Sequence, residues 1–165
     1  MKFKTWSYRF AEQVLNSKLR IRKEIEQIIE SIDIPSNQLT RPNMNKIFRE
    51  KFLQLGWEEQ PKVSEKEDIE AKLDFFKERV GVEVAFSHSS FLGIDLLKFQ
   101  TMSYSNLDKI DVGVYIAVTH EFLKKLIKEY KQKWGGSLTF EKIVRYLPHF
   151  KSAIQVPIFV VGLED

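Results

Sequence analysis

The chain has 165 residues, 43% of them hydrophobic, and 26 Lys and Arg against 23 Asp and Glu give it a formal charge of +3. That length and apolar content predict one domain, residues 1–165, with an ordinary core, and they exclude a disordered chain. The absence of cysteine excludes disulfides and thiolate metal sites and suits a reducing cytoplasm. A mildly basic balance admits nucleic acid as a partner without identifying it. No stretch approaches the ~18 apolar residues of a membrane helix, and MKFKTWSYRF lacks the apolar segment of a secretion signal.

In chain order, Trp6 to Leu15 predicts a short helix, with Asn16-Ser17 as a break and a new cap. Ile21, Ile25, Ile28, Ile29 and Ile32 then fall on one helical face. Arg20, Arg22, Lys23, Glu24 and Glu26 lie between them; their spacing favours a solvated face of i,i+4 pairs over phosphate contact. Pro35, Ser36, Asn37 and Pro42 mark a loop. Asn43 is the predicted cap of a helix carrying Met44, Ile47, Phe48, Phe52 and Leu55, which Gly56 stops. Trp57 is expected in the core rather than as a stacking platform. Glu58 to Glu70, charged and interrupted by Pro61, reads as a surface excursion with at most a helical turn.

The next stretch carries the chemistry. Val80, Val82, Val84 and Phe86 alternate with Gly81, Glu83 and Ala85, so a strand with one apolar face is expected. Glu83 and Ala85 then point to the other face, towards solvent or a site. Leu73 to Phe76 reads as a second strand, with Lys77-Glu78-Arg79 as the polar turn between the two. In such a hairpin Asp74 lies beside Glu83, and two converging carboxylates form a hard oxygen site suited to Mg²⁺.

This Asp, with eight residues before Glu-Val-Ala-Phe-Ser, resembles the PD-(D/E)xK nuclease motif. In detail DFFKERVGVEVAFS is similar to the BglII/BstYI group of type II restriction endonucleases. The likeness extends more weakly to the Ala11–Ile32 helical stretch and to the closing VPIFVVGLED. It implies a restriction-endonuclease-like α/β fold, a mixed β-sheet core flanked by helices. It also implies a Mg²⁺-dependent enzyme that cuts double-stranded DNA as a homodimer on a palindrome with a GATC core. Asp74, Glu83 and the main-chain carbonyl of Val84 would hold the metal. One departure is plain: the third motif position, Lys in most of the superfamily and Gln in this group, is Ala85. A methyl group can neither supply charge nor orient water. Either another residue has taken the role, or the protein is an inert DNA-binding relative, or the alanine was introduced to keep a complex intact. The relatives also continue beyond GLED into a segment that helps enclose DNA, so a smaller grip or a different use of the loops is expected here.

Past the strand, Ser87-His88-Ser89-Ser90 is either a turn with a helix cap or a loop that contacts DNA. By resemblance Ser87 fits the base-approaching position, whereas His88 stands where the group has Asn. Phe91 to Ser103 is a predicted helix with Leu92, Leu96 and Phe99 on one side; Lys98 and Gln100 on the other are candidates for DNA contact and the nearest substitutes for the missing third group. Asp111 to Thr119 is a strand. His120 to Trp134 reads as an amphipathic helix ended by Gly135-Gly136, with Lys124, Lys125 and Lys128 on an outer face that serves solubility or grips the DNA backbone. Thr139 to Leu147 is a helix broken by Pro148, and Val156 to Leu163 a buried last strand. His88, His120 and His149 have no zinc-ligand spacing. An unrelated α/β domain with two surface acids remains a third reading.

Overall fold

The structure, a computed structural model, describes residues 1–62, 71–104 and 108–165. The expected helical turn between Glu58 and Glu70 falls largely outside these residues. Among them the chain runs β1 (Lys2–Tyr8), α1 (Ala11–Ser17), α2 (Leu19–Glu30), α3 (Arg41–Gln54), β2 (Glu58–Glu59), β3 (Phe75–Lys77), β4 (Val80–Val84), α4 (Leu92–Tyr104), β5 (Val112–Val118), α5 (His120–Lys128), α6 (Phe140–Tyr146) and β6 (Ile158–Glu164). The six strands form one sheet in the order β1-β6-β5-β4-β3-β2. The pairs β4–β5 and β5–β6 are parallel, while β1–β6, β2–β3 and β3–β4 are antiparallel. This is the mixed α/β sheet that the sequence predicts.

Period-2 alternation sends each strand's residues to two different cores. On one face Val80, Val82, Phe86, Val114 and Ile116 meet the isoleucines of α2 and Phe48 and Phe52 of α3. On the other face Leu73, Ala85, Tyr115 and Val160 meet Leu92, Leu96 and Phe99 of α4 and Ile143 of α6. The face bearing Glu83 and Ala85, expected towards solvent or a site, is therefore largely covered and opens only at a cleft. Helices α4 and α6 bury it because the central strands are apolar on both sides.

Local departures from the sequence reading have physical causes. Trp6–Tyr8, expected to start a helix, instead end the strand Lys2–Tyr8, and the helix begins at Ala11; the strand sits at the sheet edge, where nearly half its residues stay wet and the apolar signal is weak. The cap of α3 is Thr40, whose hydroxyl accepts from Asn43 N–H at 3.3 Å, with Pro42 in the first turn where its missing N–H costs nothing. Gly56 closes that helix as expected, at φ 75°, and Trp57 N–H reaches back to the Phe52 carbonyl at 3.2 Å. Trp57 is core, 2% exposed. Helix α5 ends at Lys128, well before the two glycines. Lys131 adopts φ 54° there and Gln132 N–H bonds the Leu126 carbonyl at 2.8 Å, a helix stop built without glycine. Trp134 is buried apart from that helix, its Nε1 donating to the Leu39 carbonyl at 2.7 Å.

Candidate active site

The hairpin forms as the alternation predicts. Phe75 pairs with Val82 and Phe76 with Gly81, so Asp74 falls opposite Glu83. Asp74 N–H donates to the Val82 carbonyl at 3.1 Å, holding this register just beyond the strand. The turn is the two-residue Glu78-Arg79, both at positive φ (46° and 65°), a geometry that matches strand twist; Lys77, expected in the turn, ends β3 and pairs with Val80. Neither residue is glycine, and the conformation is held from outside: Arg79 Nε bonds Asp111 Oδ1 at 2.9 Å and its Nη2 bonds Asp108 Oδ1 at 2.8 Å.

At the C-terminal end of β4 the chain opens into a cleft of about 450 Å³. Asp74, Glu83, Val84, Ala85, Ser87, Asp95 and Lys98 line it, with Arg41, Asn45 and Arg49 of α3 on the opposite wall. Asp74 Oδ2 accepts the Val84 N–H at 2.7 Å, and the register of the hairpin sets its side chain beside that of Glu83. Glu83 is 4% exposed and Asp95 is 6% exposed. Lys98 Nζ bridges them, 3.0 Å from Glu83 Oε1 and 3.0 Å from Asp95 Oδ1. The other Asp95 oxygen accepts from the Tyr115 hydroxyl at 2.8 Å.

The electrostatics of this group are unbalanced. Burial, together with the like charges of Asp74 and Asp95, pushes the Glu83 carboxyl well above the usual range, and Lys98 only partly offsets them. Burial also raises Asp74, against the opposing Val84 N–H. Burial likewise lifts the Tyr115 phenol well above its ordinary value, with Asp95 reinforcing it. The Lys98 ammonium is held above its usual value because Glu83 and Asp95 outweigh its own desolvation. Buried carboxylates that repel one another are a group to which a cation would bring relief.

The donor chemistry suits a small hard cation. Among the described residues no cluster of three or more His, Asp or Glu side chains is set to hold a metal unaided. A pair of carboxylates beside a main-chain carbonyl, leaving the remaining positions to water and phosphate, is the arrangement Mg²⁺ accepts.

Other sequence candidates divide sharply. Ser87 is exposed and lines the cleft. His88 caps the short helical turn Ser89–Phe91, its Nδ1 accepting from Ser90 N–H at 3.2 Å, and its ring packs against Gly136. Gln100 is committed to structure: its Oε1 accepts the N–H groups of Gln155 and Val156 at 2.6 and 3.0 Å. Lys124, Lys125 and Lys128 line no part of the cleft, and Lys125 pairs with Asp165. Sequence reasoning missed Asp95, Tyr115 and Arg41. Asp95 did leave a signal, since it interrupts the buried stripe Leu92, Leu96, Phe99 and Met102 of α4. Arg41 left none; its Nη2 donates to the Gly135 carbonyl at 2.7 Å, while its buried Nε has no partner among the described residues.

Residues 3–163, which span both the hairpin and the helices around the cleft, match the family described as restriction endonuclease BglII/BglIII. The chain belongs to that family. It is accordingly a restriction endonuclease, a site-specific deoxyribonuclease of a divalent-metal-dependent family, and the alternative of an inert relative is not favoured. Among solved structures, the crystal structure of restriction endonuclease BglII complexed with a DNA 16-mer superposes with a TM-score of 0.80 at 23% identity, over 100% of this chain and 78% of that one. That likeness establishes the BglII-type fold. No curated protein sequence matches. No helix among the described residues is long and apolar enough to cross a membrane.

Proposed function

We propose that this BglII-family chain is a Mg²⁺-dependent endonuclease that hydrolyses phosphodiester bonds of double-stranded DNA in the cleft at the end of β4. The observation that carries the reading is the convergence of Asp74 and Glu83, from paired strands, in one buried and repulsive pair beside Val84, whose N–H bonds Asp74. Asp74, Glu83 and the Val84 main-chain oxygen would hold the ion. Bound there, Mg²⁺ would polarise the scissile phosphate and lower the pKa of the attacking water.

The chain's own residues supply the rest. The Val84 N–H fixes the Asp74 carboxylate, and covering helix α4 shields Glu83 from bulk water. Arg41 and Arg49 on the far wall face the polyanion that must enter; Arg49 is meanwhile paired with Glu59 at 2.5 and 2.8 Å. Ser87, at the cleft rim, is placed to approach bases, and His88 acts through the turn that it caps. A homodimer reading a palindrome follows from the two-fold symmetry of such targets. The GATC core rests on the family resemblance and not on any side chain in the cleft. Residues 1–165 serve as one nuclease domain, and a chain without thiols suits the cytoplasm.

Incubation of plasmid DNA with the protein and Mg²⁺ should yield discrete fragments. Asp74→Asn should abolish cutting while leaving the fold and DNA retention in place. Normal cutting by Asp74→Asn would remove the site assignment.

A further inference from the structure

Ala85 leaves the third motif position without a functional group, and its side chain is taken into the covered face. Its methyl, 3% exposed, packs in the core that includes Leu92 and Leu96 of α4. The same helix brings Lys98 to the neighbouring carboxylate. We infer that the missing catalytic group has moved from the strand to helix α4: Lys98 is a catalytic residue, and Asp95 with Tyr115 is the device that positions it. This rests on the reading of Asp74 and Glu83 as the catalytic acids.

The geometry gives Lys98 its role. An ammonium has three hydrogens to donate. Two are directed at Glu83 Oε1 and Asp95 Oδ1, each at 3.0 Å, and one remains in a side chain that lines the cleft with Asp74 and Val84. A cation held there is adjacent to the place where a phosphate would lie beside an ion held by Asp74 and Glu83. In hydrolysis the oxygen of water forms a bond to phosphorus and the bond from phosphorus to the leaving sugar oxygen breaks. The water releases one proton to solvent and the leaving oxygen takes one up. Negative charge grows on the phosphoryl oxygens meanwhile, and a fixed ammonium stabilises it at no cost in reorganisation.

Asp95 acts through Lys98. Both its carboxylate oxygens are occupied, one by Lys98 and one by Tyr115 Oη at 2.8 Å, so it is a clamp rather than a further ligand. Residues 95 and 98 share a helical face by their i,i+3 spacing. Tyr115 projects from β5, the strand next to β4, and its ring meets Phe99 edge-on at 5.8 Å. Phe99 in turn lies over Gly113, where a Cβ would come within 2.6 Å of the ring. A bare glycine in β5 thus lets α4 approach closely enough for Lys98 to reach Glu83.

The test is single-turnover cleavage at saturating enzyme with Mg²⁺, alongside DNA affinity and melting temperature. Lys98→Met keeps the apolar stem and Lys98→Ala removes it; both should cut about 10²–10³-fold more slowly with DNA affinity changed less than about threefold. Asp95→Asn should slow cutting about tenfold, and adding it to Lys98→Met should cost nothing more, because a positioning residue loses its effect when its target is gone. If Lys98→Met cuts within tenfold of the parent while Asp74→Asn is dead, this inference fails and the metal-site reading survives. If Asp74→Asn cuts normally, the underlying reading fails. Multiplicative losses in the Asp95, Lys98 double variant would make Asp95 an independent contributor and overturn the clamp.

Discussion

The β3–β4 hairpin holds one lysine–glutamate pair on each of its faces, and the two behave oppositely. On the α2–α3 side Lys77 Nζ lies 2.8 Å from Glu24 Oε2, which also accepts from Trp57 Nε1 at 3.2 Å. Arg20 takes the other Glu24 oxygen at 2.6 Å, and Lys77 also donates to the Leu55 carbonyl at 2.5 Å. Burial would raise the Glu24 carboxyl, but these donors outweigh it and hold it below the usual range. On the α4 side Glu83 has one cation and two neighbouring acids, and its carboxyl is driven up. The same two residue types thus make a satisfied structural bridge on one face and an acid-rich, under-neutralised cluster on the other. Excess like charge in a cleft distinguishes a site built to receive a cation from one built to hold the fold.

Substitutions at the two glutamates should have opposite consequences. Glu83→Gln should reduce cleavage more than about 10³-fold, about 4 kcal/mol of barrier, while preserving or raising the melting temperature of the metal-free protein. Glu24→Gln should leave cleavage within a few-fold and cost about 2 kcal/mol of stability, roughly 4–8 °C for a domain of this size. Thermal melts and single-turnover rates on both variants decide it; equal loss of activity would make the two bridges equivalent.

A smaller effect concerns the structural bridge alone. Because the Glu24 carboxyl is lowered in the folded protein, its contribution is present above the ordinary glutamate pKa and is lost as pH falls through the lowered value. The gap in melting temperature between the parent and Glu24→Gln should therefore close on acidification, once Glu24 itself is protonated. A gap that widened in acid would reverse the assigned sign.

The smallest effect concerns α5, outside both bridges. Changing Lys124, Lys125 and Lys128 to Gln should flatten the dependence of log affinity on log salt by about one unit for each phosphate no longer neutralised. The Lys125–Asp165 pair leaves Lys124 and Lys128 as the main contributors. An unaltered slope would clear the helix of any part in DNA binding.

The hairpin, its turn and the pairing of Asp74 with Glu83 were legible in the chain alone, because strand alternation and a short polar turn are local rules. So was the isoleucine face of α2, whose charged residues do form the pairs Arg20–Glu24 and Arg22–Glu26. Trp6–Tyr8 and the end of α5 were misplaced, since an edge strand pairs only with the distant β6 and Lys131 closes a helix without glycine. Lys98 stood out as a candidate but was indistinguishable from Gln100, two residues away on the same predicted helix. Packing separated them, seating α4 against β5 over Gly113, turning Lys98 towards Glu83 and sending Gln100 to the backbone of Gln155 and Val156. Asp95 and Tyr115 come from different elements, twenty residues apart, and their hydrogen bond exists only once helix and sheet are packed. Spacing along the chain fixes what shares a face, but which faces meet is decided by packing between elements.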